Sequence, residues 1–240
     1  MKQLLYCVLW SESVQNLPSI TGVQEQQIKF VSHANLACVV SQFDSTQTSL
    51  DVQTLMTYHK VIDNCFKHGA LIPFRFRTVL NDENEVMSHL LAHGTEYERK
   101  LMDLKGKTEM GIRLIVENNP LTGSRDEAGP ELNLDAENPG KSYLARRKEL
   151  YMSHAALDSK CQAIVEELKN SLKGVFIDVK VDPLGKNLAD RTLEKETLIS
   201  VYYLVETGSV ERFRTAVEKI RPFVNAKVLV SGPWAPYNFV

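Results

Sequence analysis

The spacing of apolar residues changes period several times along the chain, and each change marks an element. Leu4 to Trp10 is a continuous apolar run, which predicts a strand buried on both faces. Ile28 to Val31, a turn at His33-Ala34-Asn35, and Leu36 to Val40 read as a hairpin beside it. From Asp51 the period becomes helical. Val52, Leu55, Met56, His59, Ile62, Cys65 and Phe66 form one face, with Asp51 placed to cap the helix and Gly69 to end it. Leu71 to Val79 predicts one strand, with Pro73 putting its start at an edge or a bulge. Asn81 or Asp82 then caps a helix to about Leu104, with a break expected near Gly94.

Lys105-Gly106-Lys107 reads as a boundary. Beyond it come a strand over Thr108 to Val116, a polar Gly/Pro-rich loop over 117–140 long enough to be mobile, and a long helix over Ser142 to Lys173. A strand over Val175 to Val181, a turn at Asp182-Pro183-Leu184-Gly185 and a strand over Thr197 to Val205 follow. The last elements are a helix from Ser209 to Ile220 and a strand over Lys227 to Val230. The order β-α-β-β-α-β is the ferredoxin-like one, an antiparallel sheet with both helices on one face. The first half has similar parts, so the fold class is α+β with two sheet-and-helix domains, 1–106 and 107–231.

The last residues, 232–240, break the pattern of an ordinary terminus. Gly232 to Val240 carries Trp234, Tyr237 and Phe239 with Pro233 and Pro236 and no charged side chain, whereas disordered ends are polar. A stiff extended tail, neither strand nor helix, is expected to pack on the protein's own surface, near the long helix or the first domain, as a clamp between domains.

Composition narrows the function classes. A net charge of −2 gives no electrostatic reason to expect nucleic acid as a partner. No stretch is apolar for long enough to span a bilayer, so neither membrane nor signal peptide is expected and the protein should stay in the cytoplasm. Cys7, Cys38, Cys65 and Cys161 are scattered in apolar runs, which reads as reduced buried thiols.

Candidate chemistry is sparse. His89 and His93 stand four apart with Glu85 a turn earlier, but no third strong ligand is near, and an exposed polar face accounts for them; no metal or cofactor is expected. Arg75 and Arg77 fall on one face of the predicted strand. There a structural ion pair is the favoured reading and an anion site the minor one. On the long helix, Arg146, Arg147 and Lys148 read first as a solvated face and second as a contact surface. No phosphate loop, dinucleotide fingerprint or nucleophile elbow occurs, so no enzyme is read here. The candidate partner-binding or interdomain residues are Arg75, Arg77, Arg146, Arg147, Trp234, Tyr237 and Phe239.

Three stretches together resemble the gas vesicle protein F/L family. They are Gly69 to Val79 (GALIPFRFRTV), Tyr143 to Lys148 (YLARRK) and the ending Gly232 to Val240 (GPWAPYNFV). Arg77 stands where the family pattern has glycine. The resemblance spans nearly the whole chain and implies a ferredoxin-like N-terminal domain and a modified ferredoxin-like C-terminal one. It also implies a non-enzymatic accessory or minor structural role in gas vesicle formation, in contact with the small hydrophobic shell protein of the A family and, as further candidates, other accessory vesicle proteins. A different class stays open beside it: a small-molecule-binding or catalytic protein with its site between the domains, using His59, Arg75 or His154.

Overall fold

A computed structural model describes residues 2–44, 46, 51–117, 157–182 and 196–240. The first sheet is organised on β1 (Lys2–Trp10), whose residues from Gln3 to Leu9 are all buried. Its pairing with β3 (Leu36–Phe43) slips between Leu5 and Cys7, so Tyr6 is an extra residue in a bulge. The bulge hands Leu4, Tyr6, Cys7 and Leu9 to one core layer and Leu5 and Val8 to the other. A continuous apolar strand follows from this, because α1 (Val52–Phe66) covers one face and α2 (Glu83–Leu104) the other. β2 (Lys29–His33) pairs with the far side of β3, and β4 (Leu71–Pro73) and β5 (Val79–Leu80) lie end to end along the other side of β1.

Three sequence expectations change in this half. The strand expected over Leu71 to Val79 is split by Phe74 to Thr78, which turn opposite the β1 bulge. Phe74 N–H donates to the Tyr6 carbonyl at 2.8 Å and Leu5 N–H to the Thr78 carbonyl at 2.9 Å, so the interruption follows the extra residue in the partner strand. α2 is unbroken at Gly94. That glycine falls within the buried stripe of Val86, Leu90, Tyr97, Leu101 and Leu104, and packing of the stripe on the sheet outweighs the roughly 1 kcal/mol cost of a mid-helix glycine. The buried face of α1 is turned from the expected one: Tyr58, Val61, Ile62 and Cys65 are buried, whereas Val52 and Met56 face solvent. Tyr58 causes the turn. Its ring stacks on Tyr6, and its hydroxyl lies 2.8 and 2.9 Å from the Leu5 and Phe74 carbonyls.

The second sheet has the order β7-β8-β6-β9. Its strands are β6 (Lys107–Glu117), β7 (Asp178–Val181), β8 (Glu196–Glu206) and β9 (Lys227–Trp234), all neighbours antiparallel. The helix over 157–171, α3, and α4 (Val210–Ile220) pack on one face, where Ile112, Leu114, Val201 and Tyr203 meet Leu168, Leu172, Phe213 and Val217. This is the ferredoxin-like arrangement. β7 starts three residues later than expected. β9 runs four residues further, to Trp234, because Gly232 and Pro233 together face one residue of β6 between the Gly111–Ser231 and Glu109–Trp234 pairs. A bulge on an edge strand accepts a proline with no ladder hydrogen bond to lose. The first residues of the tail are therefore strand.

All four cysteines are buried free thiols. Among the described residues no helix is long and apolar enough to cross a membrane.

Candidate functional site

The two sheets meet where α2 runs into β6. Gly106 turns with φ +72°, and its carbonyl accepts from both the backbone N–H and the hydroxyl of Thr207, tying the start of β6 to the end of β8. The C-terminal tail crosses this junction.

The tail is fixed residue by residue. Gly232 has φ +104°, and a Cβ there would lie 2.7 Å from the Glu109 carbonyl oxygen, so the position admits only glycine. Its carbonyl accepts from Arg214 Nη2 at 2.8 Å, and the Trp234 carbonyl accepts from Thr108 Oγ1 at 2.9 Å. Ala235 then sinks fully into the α1 side of the first core, with Tyr237 packed against the same cluster. The Tyr237 hydroxyl is 3.1 Å from His59 Nδ1, with the two rings edge to face. Asn238 turns back to the second sheet. Its backbone N–H and side-chain amide donate to the two oxygens of Glu109 at 2.8 and 2.7 Å, and its carbonyl accepts from Lys180 Nζ. Phe239 packs on the α2 side of the first core beneath the Lys180 ammonium, which stands 5.2 Å from the ring centroid. The tail thus buries apolar groups in one domain and satisfies a buried carboxylate in the other.

Glu109 is only 4% exposed. Burial raises its pKa, and the two bonds from Asn238, together with the nearby Lys180 charge, oppose that rise by favouring the anion. Burial likewise pushes the Tyr237 phenol upward, with Asp63 adding to the shift.

Beside the tail a cleft of about 1060 Å³ opens between the domains. Trp10 to Ser13, Phe66 to Ala70, Met102 and Leu104 to Gly106 line it from the first domain; Lys107, Thr207, Pro233 and Trp234 line it from the second.

The predicted residues are distributed unevenly. Arg75 and Arg77 are exposed in the 74–78 turn and not on a strand face, so no buried ion pair is required of them. Arg77 has φ +73°, the left-handed region that favours glycine. Arg146, Arg147 and His154 lie outside the described residues, as do most of the 117–140 loop and the upper half of the long helix. Tyr237 and Phe239 lie at the domain junction. Trp234 remains 45% exposed on a wall of the cleft. Of the residues considered for an interdomain site, His59 is engaged by Tyr237 and Arg75 belongs to the turn; neither lines the cleft. His89 Nε2 pairs with the Tyr97 hydroxyl at 2.7 Å, whereas Glu85 accepts from Asn81 N–H at the start of α2. Among the described residues no group of three or more His, Cys, Asp or Glu is arranged to hold a metal ion.

Glu109, Asn238, Lys180 and Trp10 escaped the sequence reading. Glu109 reads as the solvent side of an alternating strand, and nothing local shows that the tail covers that side. The one usable signal was Asn238, an amide in a stretch with no charges.

The family model for "Gas vesicle synthesis protein GvpL/GvpF" matches residues 3–240. Gas vesicle protein F of Streptomyces sp. (strain CB03234) is 24% identical over 225 residues, covering 91% of this chain and 90% of that protein. Gas vesicle protein F1 of Halobacterium salinarum is 19% identical, covering 98% and 91%. Among solved structures, GvpF from Anabaena sp. PCC7120 superposes with a TM-score of 0.71 at 16% identity, covering 99% of this chain and 95% of that one. GvpF from Microcystis aeruginosa gives 0.70 at 18%, covering 99% and 98%. At these identities the structures speak for the fold, which they share from end to end.

Proposed function

The chain belongs to the gas vesicle synthesis protein GvpL/GvpF family, and from that premise we propose that it contacts the small hydrophobic shell protein while the vesicle wall is assembled. Its role in gas vesicle formation is an accessory, structural one without catalysis, and the family places it with the vesicle in the cytoplasm. The observation that carries the role is the family match over residues 3–240.

The physical case for the shell contact is one of need and means. A subunit that builds a wall with a water-repelling face must have its apolar surface and open strand edges covered before it assembles. Among the described residues one sheet ends on β2 and on β4 with β5, and the other on β7 and β9, and such edges can accept a further strand. In this reading Arg75, Arg77 and Trp234 are partner-facing, Arg146 and Arg147 are further candidate contacts, and Tyr237 and Phe239 hold the domains, 1–106 and 107–231, against the 232–240 tail. Other accessory vesicle proteins are further partners.

Co-expression of the full chain with the shell protein, followed by affinity capture, tests the contact. Co-purification at defined stoichiometry is expected. Recovery of the chain alone, with a tightly bound metabolite, would sink the reading.

A further inference from the structure

The chain contains two tryptophans, and both line the cleft at the domain junction. Trp10 ends β1 and Trp234 ends β9, so the fold brings the two from opposite ends of the sequence to one cavity. Trp234 is 45% exposed and Met102, also in the lining, 66%. Large side chains of this kind are usually buried, and indoles left open in a concave site are common anchors for a partner. Phe66, Leu104 and Pro233 continue the apolar lining.

Charge on the rim is uneven. Burial raises the Asp63 pKa, and His59 and Lys67 nearby oppose that rise only in part. Lys105 and Lys107, near Met102 and Leu104 in the chain, make no ion pair among the described residues, and His68, also in the lining, is exposed. The one other acid on the rim is Glu12. At about 1060 Å³ the cleft lies at the upper end of the range for ligand sites, and the two ammonium groups of Lys105 and Lys107 on its rim favour an acidic segment as its occupant.

We infer that this cleft is a docking site for a short acidic segment of a partner protein, with an apolar side chain set against Trp10 and Trp234 and its carboxylates on Lys105 and Lys107. Trp234 is common to this cleft and to the proposed shell contact, whereas Lys105 and Lys107 belong to the cleft alone, so loss of peptide binding in a variant of the two lysines with shell capture intact tells the two apart.

The test starts with selection of a random dodecapeptide display library on the full-length protein. Enrichment of an aromatic or large aliphatic residue flanked by Asp or Glu is expected. The enriched peptide, synthesised, should then shift tryptophan emission to shorter wavelength in a saturable way, since the only reporters are in the cleft. A Lys105→Glu/Lys107→Glu variant, checked for fold by circular dichroism, should bind it about tenfold more weakly at low salt. The inference is overturned if the enriched peptides are basic or carry no charge bias, if emission does not respond, or if the double variant binds equally. It is also overturned if cyclohexanol, which does not fluoresce, saturates the emission change while no peptide is enriched, which would make the cleft a small-molecule pocket. Emission that follows dimerisation in light scattering overturns it in favour of a second copy of the chain.

Discussion

Glu109 and Gly232 show how single residues hold the domain junction together. Gly232 combines a left-handed backbone with a carbonyl 2.7 Å from where a Cβ would stand. Gly232→Ala should therefore cost about 2–4 kcal/mol, from backbone strain plus overpacking, read as a shift of the urea midpoint at unchanged slope. A midpoint within error of wild type would show that β9 moves away from β6 easily. Glu109 makes a prediction in pH. Its folded pKa is raised above the ordinary value of 4.5, so the folded state holds the proton more tightly than the unfolded chain does. The stability contributed by this group is then present at low pH and lost as pH rises from about 4.5 through the raised value. In Glu109→Gln this dependence disappears, whereas the other titrating groups are common to both proteins. The stability of wild type minus that of the variant should be larger at pH 5 than at pH 7.5 in parallel urea titrations. A difference that grows with pH would mean that the Asn238 bonds and Lys180 outweigh burial.

At the scale of elements, the bulge at Tyr6 has the widest effect. It divides β1 between two core layers and sets the turn that splits β4 from β5. Arg77 sits in that turn at φ +73°. Arg77→Gly and Arg77→Ala remove the same side-chain interactions but differ in backbone freedom. The glycine variant should therefore be the more stable of the two by about 1 kcal/mol, measured as the difference in unfolding free energy. Equal stabilities would place the turn under no strain. The position where the resemblance leads one to expect glycine is thus one where the backbone favours it. The sequence read the existence of these elements well, because period and caps are local: Asp51 and Asp82 each accept the expected backbone N–H, from Thr54 and Glu85. It misread the buried face of α1 because Tyr58 is drawn inward by Tyr6 and by two carbonyls far away in sequence.

For the whole molecule, the tail links the two domains through Ala235 and Tyr237 on one side and Asn238 with Glu109 on the other. Truncation after Gly232 removes that burial and leaves Glu109 without Asn238. A loss of about 2–3 kcal/mol is expected, or roughly 5–10 °C in Tm for a chain of this size. Calorimetry should also show the single transition of the intact protein resolve into two as the domains uncouple. An unchanged Tm and one transition would assign the coupling to the α2–β6 junction instead. By itself the sequence determined the α+β class, the β-α-β-β-α-β order of the second half and the family, since periodicity, caps and the motif GPWAPYNFV are written in neighbouring residues. Tertiary structure alone decided that Glu109 is buried, that Trp10 and Trp234 line one cleft, and that the tail enters as strand and leaves as a clasp. Those facts depend on which surface covers which, and contacts between residues more than a hundred positions apart leave no mark in local pattern.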